Sequence, residues 1–338
     1  MEAEAPSVGR GDPFESIVTV FYRLWLRREP DPEGLAYHAR ELREGRVSES
    51  ELADAFQNCD EYFGLNVLLS TRLARIESNG CTFLVPASAP VAHQLASTEG
   101  YEPWVLPYFL RHCRPGMNVL DIGASWGAFA LPAAKRVQPD GLVYALEVSA
   151  ANCRVMLRCA RASAIANLQI LPFGVSDRLG SELLRRQTHT NNNAIESGVD
   201  PDLDELDAFD VVPMLPLDLI RSALRPVHLV KMDIEGMEYR ALVGASSLLR
   251  EHRPVVFTEY SPAFQRIGSG VDGAELLKRF FQLGYQAEIL HRSRPREVVA
   301  AGTEGERIAR IDTAWRRHVD DDQGTHLDLC LAPIERDL

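Results

Sequence analysis

The stretch Asn118-Val-Leu-Asp-Ile-Gly-Ala-Ser-Trp-Gly127 constrains this chain more than any other. A short apolar run meets an acid, Asp121, then a loop with glycines at 123 and 127, and Ala128–Lys135 resumes in residues that favour a helix. That is a strand, a tight corner and a helix, the unit from which open α/β sheets are built. In such sheets a ligand sits outside the carboxyl ends of the strands, and a corner glycine lets it approach to a distance any side chain would block. Gly123 is the contact glycine. The spacing Gly-x-x-x-Gly departs from Gly-x-Gly-x-x-Gly and lacks the Gly-Lys-Ser/Thr of a phosphate-binding loop. A pyrophosphate cradle is disfavoured, and a nicotinamide-dependent dehydrogenase with it.

One strand later, Leu142-Val-Tyr-Ala-Leu146 ends in Glu147, and an acid at that position can accept both hydroxyls of a ribose. A nucleoside without phosphates, held by a glycine corner and a ribose acid, points to S-adenosylmethionine, whose sulfonium nearby carboxylates would favour.

Charge narrows the partners. A net charge of -12 argues against nucleic acid or an anionic membrane, because no basic stripe is present, and a small-molecule acceptor fits better. The cysteines at 59, 81, 113, 153, 159 and 330 are scattered, without a Cys-x-x-Cys pair, and are expected to be free thiols in a reducing cytoplasm. The acidic start carries no apolar core of the signal-peptide kind, and no run is long enough to span a bilayer.

The N-terminal part is expected to be all helical. Asp12-Pro13 and Asp31-Pro32 are paired start signals, an N-cap followed by proline at the first helical position, and Ser48-Glu-Ser-Glu51 is a capping box. Phe14, Ile17, Val18, Phe21 and Trp25 form the first apolar stripe, in a helix ending near Arg28; Leu35, Ala39 and Leu42 form the second, with Gly45 placed to terminate it. A fourth helix is expected over about 60–77. Residues 1–77 thus form a small bundle and 78–338 a second domain, joined through a connector over 78–100 with a short strand at Thr82–Val85. Phe21–Leu35 resembles an uncharacterised helical module fused to various bacterial enzymes and surface proteins. It implies no chemistry, and docking or a homodimer through this module are open roles for it.

From Asn118 onward strands and helices alternate, as in a parallel sheet covered on both faces. Strands are expected at Leu168–Val175, His228–Asp233, Val255–Thr258, Tyr285–Leu290 and Leu327–Ala332, with helices after Ser149, over Pro216–Ala223, Tyr239–Leu249 and Gly273–Leu283, and around Ile311–His318. Residues 178–213 are too polar for core and too long for an ordinary connection, so they are expected to be a loop that covers substrate or a plain surface loop.

With Val-Leu-Asp-Ile-Gly-Ala-Ser-Trp-Gly, Glu147 and Lys231-Met-Asp-Ile-Glu-Gly-Met-Glu238 in view, residues from about 80 to 333 resemble the FkbM-type S-adenosylmethionine-dependent methyltransferases. Gly-Tyr-Glu-Pro at 100–103, Leu-Pro-Leu-Asp-Leu at 215–219 and Arg-Pro-Val-Val-Phe-Thr-Glu at 253–259 extend the likeness. The resemblance implies a class I methyltransferase fold, Rossmann-like with helices on both faces, usually serving O-methylation of sugars or secondary metabolites. Two positions depart from the family: Trp126 where asparagine is usual, and Glu147-Val-Ser where Glu-Pro is usual.

The expected cofactor-binding residues are Glu102, Asp121, Gly123, Ser125, Trp126, Glu147, Val148, Gly174 and Val175. Methyl transfer to an alcohol needs an aligned nucleophile and a proton acceptor. Asp233 is the first choice for that base, or it caps the next helix. Glu235 and Glu238 are placed to touch substrate, although Glu238 serves equally as a partner for a surface arginine. Glu259 ends an apolar strand where an unpaired carboxylate is costly, and Lys231 is the natural counter-ion for these acids. In the polar loop, His189 and Asn191–Asn193 are weaker candidates. Asp233 and Glu259 with a histidine offer ligands for Mg²⁺, but no spacing demands a metal and none is expected. N-methylation of a small amine and a non-catalytic binding module are the alternatives.

Overall fold

The computed structural model describes residues 12–23, 28–57, 73–87, 89–185, 195–196, 208–321 and 324–336. The chain divides into two compact units, Met1–Arg72 and Leu73–Leu338.

In the first unit the cap signals act as anticipated. Helix α1 (Pro13–Phe21) starts with the Asp12 carboxylate accepting from Phe14 N at 3.0 Å, and α2 (Pro32–Arg43) with Asp31 accepting from Gly34 N at 2.8 Å. Helix α3 (Glu49–Gln57) opens on the reciprocal box, Glu51 N to Ser48 Oγ at 3.2 Å and Ser48 N to Glu51 Oε2 at 2.8 Å. Each such cap stabilises its helix by about 1 kcal/mol. Val18, Tyr22, Ala39, Leu42, Leu52 and Phe56 close the core between the three helices. Trp25 and the expected fourth helix over 60–72 lie outside the described residues.

Residues 73–77 are not helical. They begin a hairpin, β1 (Leu73–Ser78) with β2 (Cys81–Pro86), around Asn79-Gly80, both at positive φ. An Asn-Gly pair between two apolar runs favours such a turn, which outweighs the helical spacing of Leu73 and Ile76. The expected connector also holds a helix, α4 (Pro90–Ala96), followed by α5 (Leu106–His112).

The central sheet carries eight strands in the order β13-β12-β14-β11-β10-β3-β4-β5. Strands β3 (Val119–Ile122), β4 (Val143–Leu146), β5 (Leu168–Leu171), β10 (Leu229–Met232) and β11 (Val255–Tyr260) run parallel, whereas β14 (Leu327–Pro333) enters antiparallel between β11 and β12 (Tyr285–Leu290). An edge strand, β13 (Glu297–Val299), was not anticipated. Helices α6 (Ala130–Val137) and α7 (Ala150–Ala162, capped by Ser149) connect the first strands. The chain order reverses between β3 and β10, the switch point where open sheets bind ligands.

Several expectations need correction. The strand expected over Leu168–Val175 breaks after Leu171; β6 (Gly174–Val175) pairs instead with β9 (Phe209–Leu215) in a second sheet that includes β7 (Gly180–Arg185) and β8 (Ile195–Glu196). Parts of the expected loop over 178–213 are therefore paired strand. Leu184, Val212 and Met214 explain it, since they alternate onto one face and bury there. His189, Asn191–Asn193 and the acidic run at 200–207 lie outside the described residues. Where one helix was expected over Tyr239–Leu249 there are two, α8 (Glu238–Gly244) and α9 (Ser246–His252). Helix α10 (Pro262–Gly268) is additional, α11 (Gly273–Gln282) follows its Asp272 cap, and α12 (Glu304–Asp320) is longer than anticipated.

Candidate active site

At the carboxyl ends of β3, β4 and β10 one cleft gathers Asp121, Gly123, Ser125, Trp126, Glu147, Val148, Gly174 and Val175 with Lys231, Asp233 and Glu235. Of the expected residues that are described, Glu102, Glu238 and Glu259 stand outside this wall, and the charges of Glu102 and Glu259 act on Lys231. Tyr101, Asn152, Phe173, Met214 and Met237, which sequence reasoning did not select, complete it.

The glycine corner has a purpose the sequence did not reveal. A methyl group built on Gly123, which sits at φ +84°, would lie 2.0 Å from the carbonyl oxygen of Asp233. Gly123 is thus required first for the β3 corner to rest on the β10 corner, and only then for access of a ligand. Glu147 is held by main chain: Ser125 N donates to Oε2 at 2.8 Å and Ser149 N to Oε1 at 2.7 Å. Burial pushes its acidity toward the neutral form, and these N–H groups with Asn152 oppose the push. Trp126 is buried and donates from Nε1 to Asn152 Oδ1 at 2.6 Å, so the indole is fixed against α7.

The Lys231–Glu238 motif becomes legible as a structure. Lys231, 2% exposed, donates to Asp233 Oδ2 at 3.0 Å and lies over the Phe129 ring at 4.8 Å. Burial pulls its pKa down, but Asp233, Glu102, Glu259 and Asp328 push harder, and the net direction is up. Glu235 occupies the left-handed region at φ 54°. Gly236 follows at φ +99° with its α-carbon so close to the Phe264 carbonyl that a side chain would collide at 2.1 Å. Glu238 is no surface partner for an arginine; it is buried and accepts from Ile234 N at 3.0 Å and Gly236 N at 3.3 Å. It therefore builds the turn that presents Asp233 and Glu235. Glu102 and Ser125 also have positive φ, at 40° and 49°, so backbone strain collects around this cleft.

Burial raises the acids. Asp121 is pushed up to about 7, with Asp233 and Glu147 adding to burial against the pull of Lys231. Glu235 rises to about 7 through burial, Asp233 and Glu238, and Glu102 to about 8 through burial, Asp328 and Asp233. Beyond Lys231 the expected Glu259 has neighbours that sequence reasoning missed: His326, whose Nε2 lies 3.3 Å from Glu259 Oε1, and Asp328, whose Oδ2 accepts from Trp104 Nε1 at 2.7 Å. Asp328 had a signal, a lone acid inside Leu327-Asp-Leu-Cys-Leu-Ala332; His326 had none.

The residues present fit a sulfonium nucleoside. Asp121 Oδ2 is buried without a partner and lines the cleft, where it would take a cationic amine; Ile122, Leu146, Val148 and Phe173 give apolar walls; Glu147 would take the ribose. Among the described residues no helix is long and apolar enough to cross a membrane, and the five described cysteines are unpaired.

A search of curated proteins finds no match. Among solved structures, a methyltransferase FkbM from Methylobacillus flagellatus KT is 14% identical with a TM-score of 0.38, over 81% of this chain and 55% of that one. A SAM-dependent O-methyltransferase from Thermotoga maritima is 12% identical with a TM-score of 0.38, over 76% of this chain and 75% of that one. A precorrin-6y C5,15-methyltransferase from Geobacter metallireducens GS-15 is 12% identical with a TM-score of 0.36, over 69% and 88%. Residues 13–66 match the model of a domain of unknown function, DUF4214. The model of the methyltransferase FkbM domain matches residues 121–287, from the acid of the glycine corner to the middle of β12, and the cofactor is S-adenosylmethionine. Residues 121–287 thus carry the domain of the FkbM methyltransferase family.

Proposed function

We propose that this chain methylates a hydroxyl oxygen of a small molecule, a sugar or a secondary metabolite. One observation carries the reading: the Asp233 carboxylate lines the same cleft as the glycine corner and Glu147, with Lys231 donating to it at 3.0 Å. When bound, S-adenosylmethionine supplies a methyl group on a sulfonium, open to in-line attack. The chain would hold its ribose at Glu147 and its amine at Asp121. An alcohol must give up its proton as its oxygen gains carbon, and Asp233 is the acceptor for that proton. Lys231 fixes the carboxylate, while Glu235 on its strained turn borders the space for the acceptor. The surplus of carboxylates over cations here suits a neutral, hydroxyl-rich acceptor better than an anionic one.

The test is S-adenosylhomocysteine release with a panel of glycosides, phenols and amines. Hydroxyl acceptors are expected to turn over, and Asp233→Ala to lower kcat by about 100-fold or more while cofactor affinity persists. Turnover confined to amines, full activity in Asp233→Ala, or cofactor binding without turnover of any acceptor would each overturn the reading.

A further inference from the structure

We infer that Glu259, His326 and Asp328 form a binding site for one divalent transition-metal ion beside the methyl-transfer cleft. Glu259 on β11 and Asp328 on β14 are directly opposed in the antiparallel register. Like charges opposed across a ladder repel, and here both residues are buried, at 8% and 4% exposure. Two such carboxylates persist by sharing a proton or with a cation between them.

His326 lies just before β14, two residues from Asp328. Its Nε2 is 3.3 Å from Glu259 Oε1 and 3.9 Å from Asp328 Oδ2, and the three ligand atoms all lie within 4.8 Å of one another. Atoms that share one ion at about 2.0–2.3 Å are separated by roughly 3–4.5 Å, so a single ion reaches all three with small adjustments. Among the described residues no lysine or arginine pairs directly with either carboxylate, although the charge of Lys231 acts on both. Lys231 is engaged with Asp233 at 3.0 Å, and the Glu259 carboxylate has no other polar partner among the described residues. Trp104 Nε1, at 2.7 Å from Asp328 Oδ2, orients that carboxylate as outer-layer donors orient metal ligands.

One imidazole nitrogen with two carboxylate oxygens suits Mn²⁺, Fe²⁺, Co²⁺ or Zn²⁺, whereas Mg²⁺ prefers oxygen alone. The Arg292 guanidinium reaches the same Nε2 at 3.1 Å while lying over the Trp104 ring at 4.4 Å, so an ion and Arg292 compete for that nitrogen. Three protein ligands leave coordination positions open. The use of the ion rests on the hydroxyl-methylation reading: the ion would bind neighbouring hydroxyls of the acceptor and ease loss of the proton that Asp233 receives.

The chelator-treated full-length chain, titrated with Mn²⁺ and followed by electron paramagnetic resonance of the free ion, tests the site. One Mn²⁺ per chain is expected, with affinity about tenfold or more weaker in His326→Ala and in the shape-conserving Glu259→Gln. Arg292→Ala, which removes the competitor, is expected to tighten binding. S-adenosylhomocysteine affinity measured on the same samples should be unchanged in His326→Ala, which certifies the fold. A wild-type chain that takes up no Mn²⁺, or a His326→Ala variant that binds it as the wild type does, overturns the site. Mn²⁺ uptake in a chain that ignores S-adenosylhomocysteine would instead uphold the site and remove the methyl-transfer reading.

Discussion

At the β3–β4 end of the cleft, carboxylate charge is met by main-chain N–H groups, as at Glu147; at the β10–β11 end it is met by one buried lysine shared among Asp233, Glu102, Glu259 and Asp328. Main-chain donors are fixed by the fold and cost nothing further to orient, so the nucleoside end is a rigid socket. Side-chain charges depend on each other, and removing one disturbs all the rest. On the proposed reading, the β3–β4 end would hold the nucleoside unchanged, and the β10–β11 end is where substitution would change what is bound.

The largest expected effect is at the shared lysine. Lys231→Met would leave several buried carboxylates without their cation and should cost about 3–5 kcal/mol, read by chemical denaturation. A loss under about 1 kcal/mol would mean that the acceptor end is not organised by this charge. Next comes Gly123→Ala, which forces a side chain into the Asp233 carbonyl at positive φ; about 1–3 kcal/mol of stability should go, together with S-adenosylhomocysteine binding. A stable variant that still binds would show that the two corners can part. Glu147→Gln retains the shape but weakens two charge-assisted bonds, so cofactor affinity should fall about tenfold with kcat at saturation little altered, as calorimetry and initial rates would report.

The smallest effect is a slope. Asp121 and Glu235, pushed up to about 7, and Glu102, up to about 8, keep protons in the folded state that the unfolded chain releases near 3.8 and 4.5. Protons held by the folded state favour it at low pH, so their contribution to the ligand-free protein declines as pH rises from about 4 to 8. Melting temperatures across that range should fall, and Asp121→Asn should flatten the fall. Equal slopes in both proteins would remove Asp121 from this set.

Much of the nucleoside end was legible because strand, corner and helix are contiguous in sequence: Val119–Ile122, Val143–Leu146 and the Ser149 cap all stand where apolar runs and cap chemistry put them. The acceptor end draws on β11 and β14, some seventy residues apart in the numbering, and only the ladder register brings Glu259 to Asp328. Spacing rules do not reach across a sheet. The hairpin at 73–86 was obscured differently, since Leu73 and Ile76 satisfy a helical period until Asn79-Gly80 is given its weight. At Glu238 the residue was noticed but its role was not, because a capping carboxylate and a solvated one look alike in one dimension.

The seat of the Gly123 corner on the Asp233 carbonyl sets a fixed gauge between donor and acceptor. Because main chain abuts main chain there, the path that a methyl group must cross is decided before any acceptor arrives.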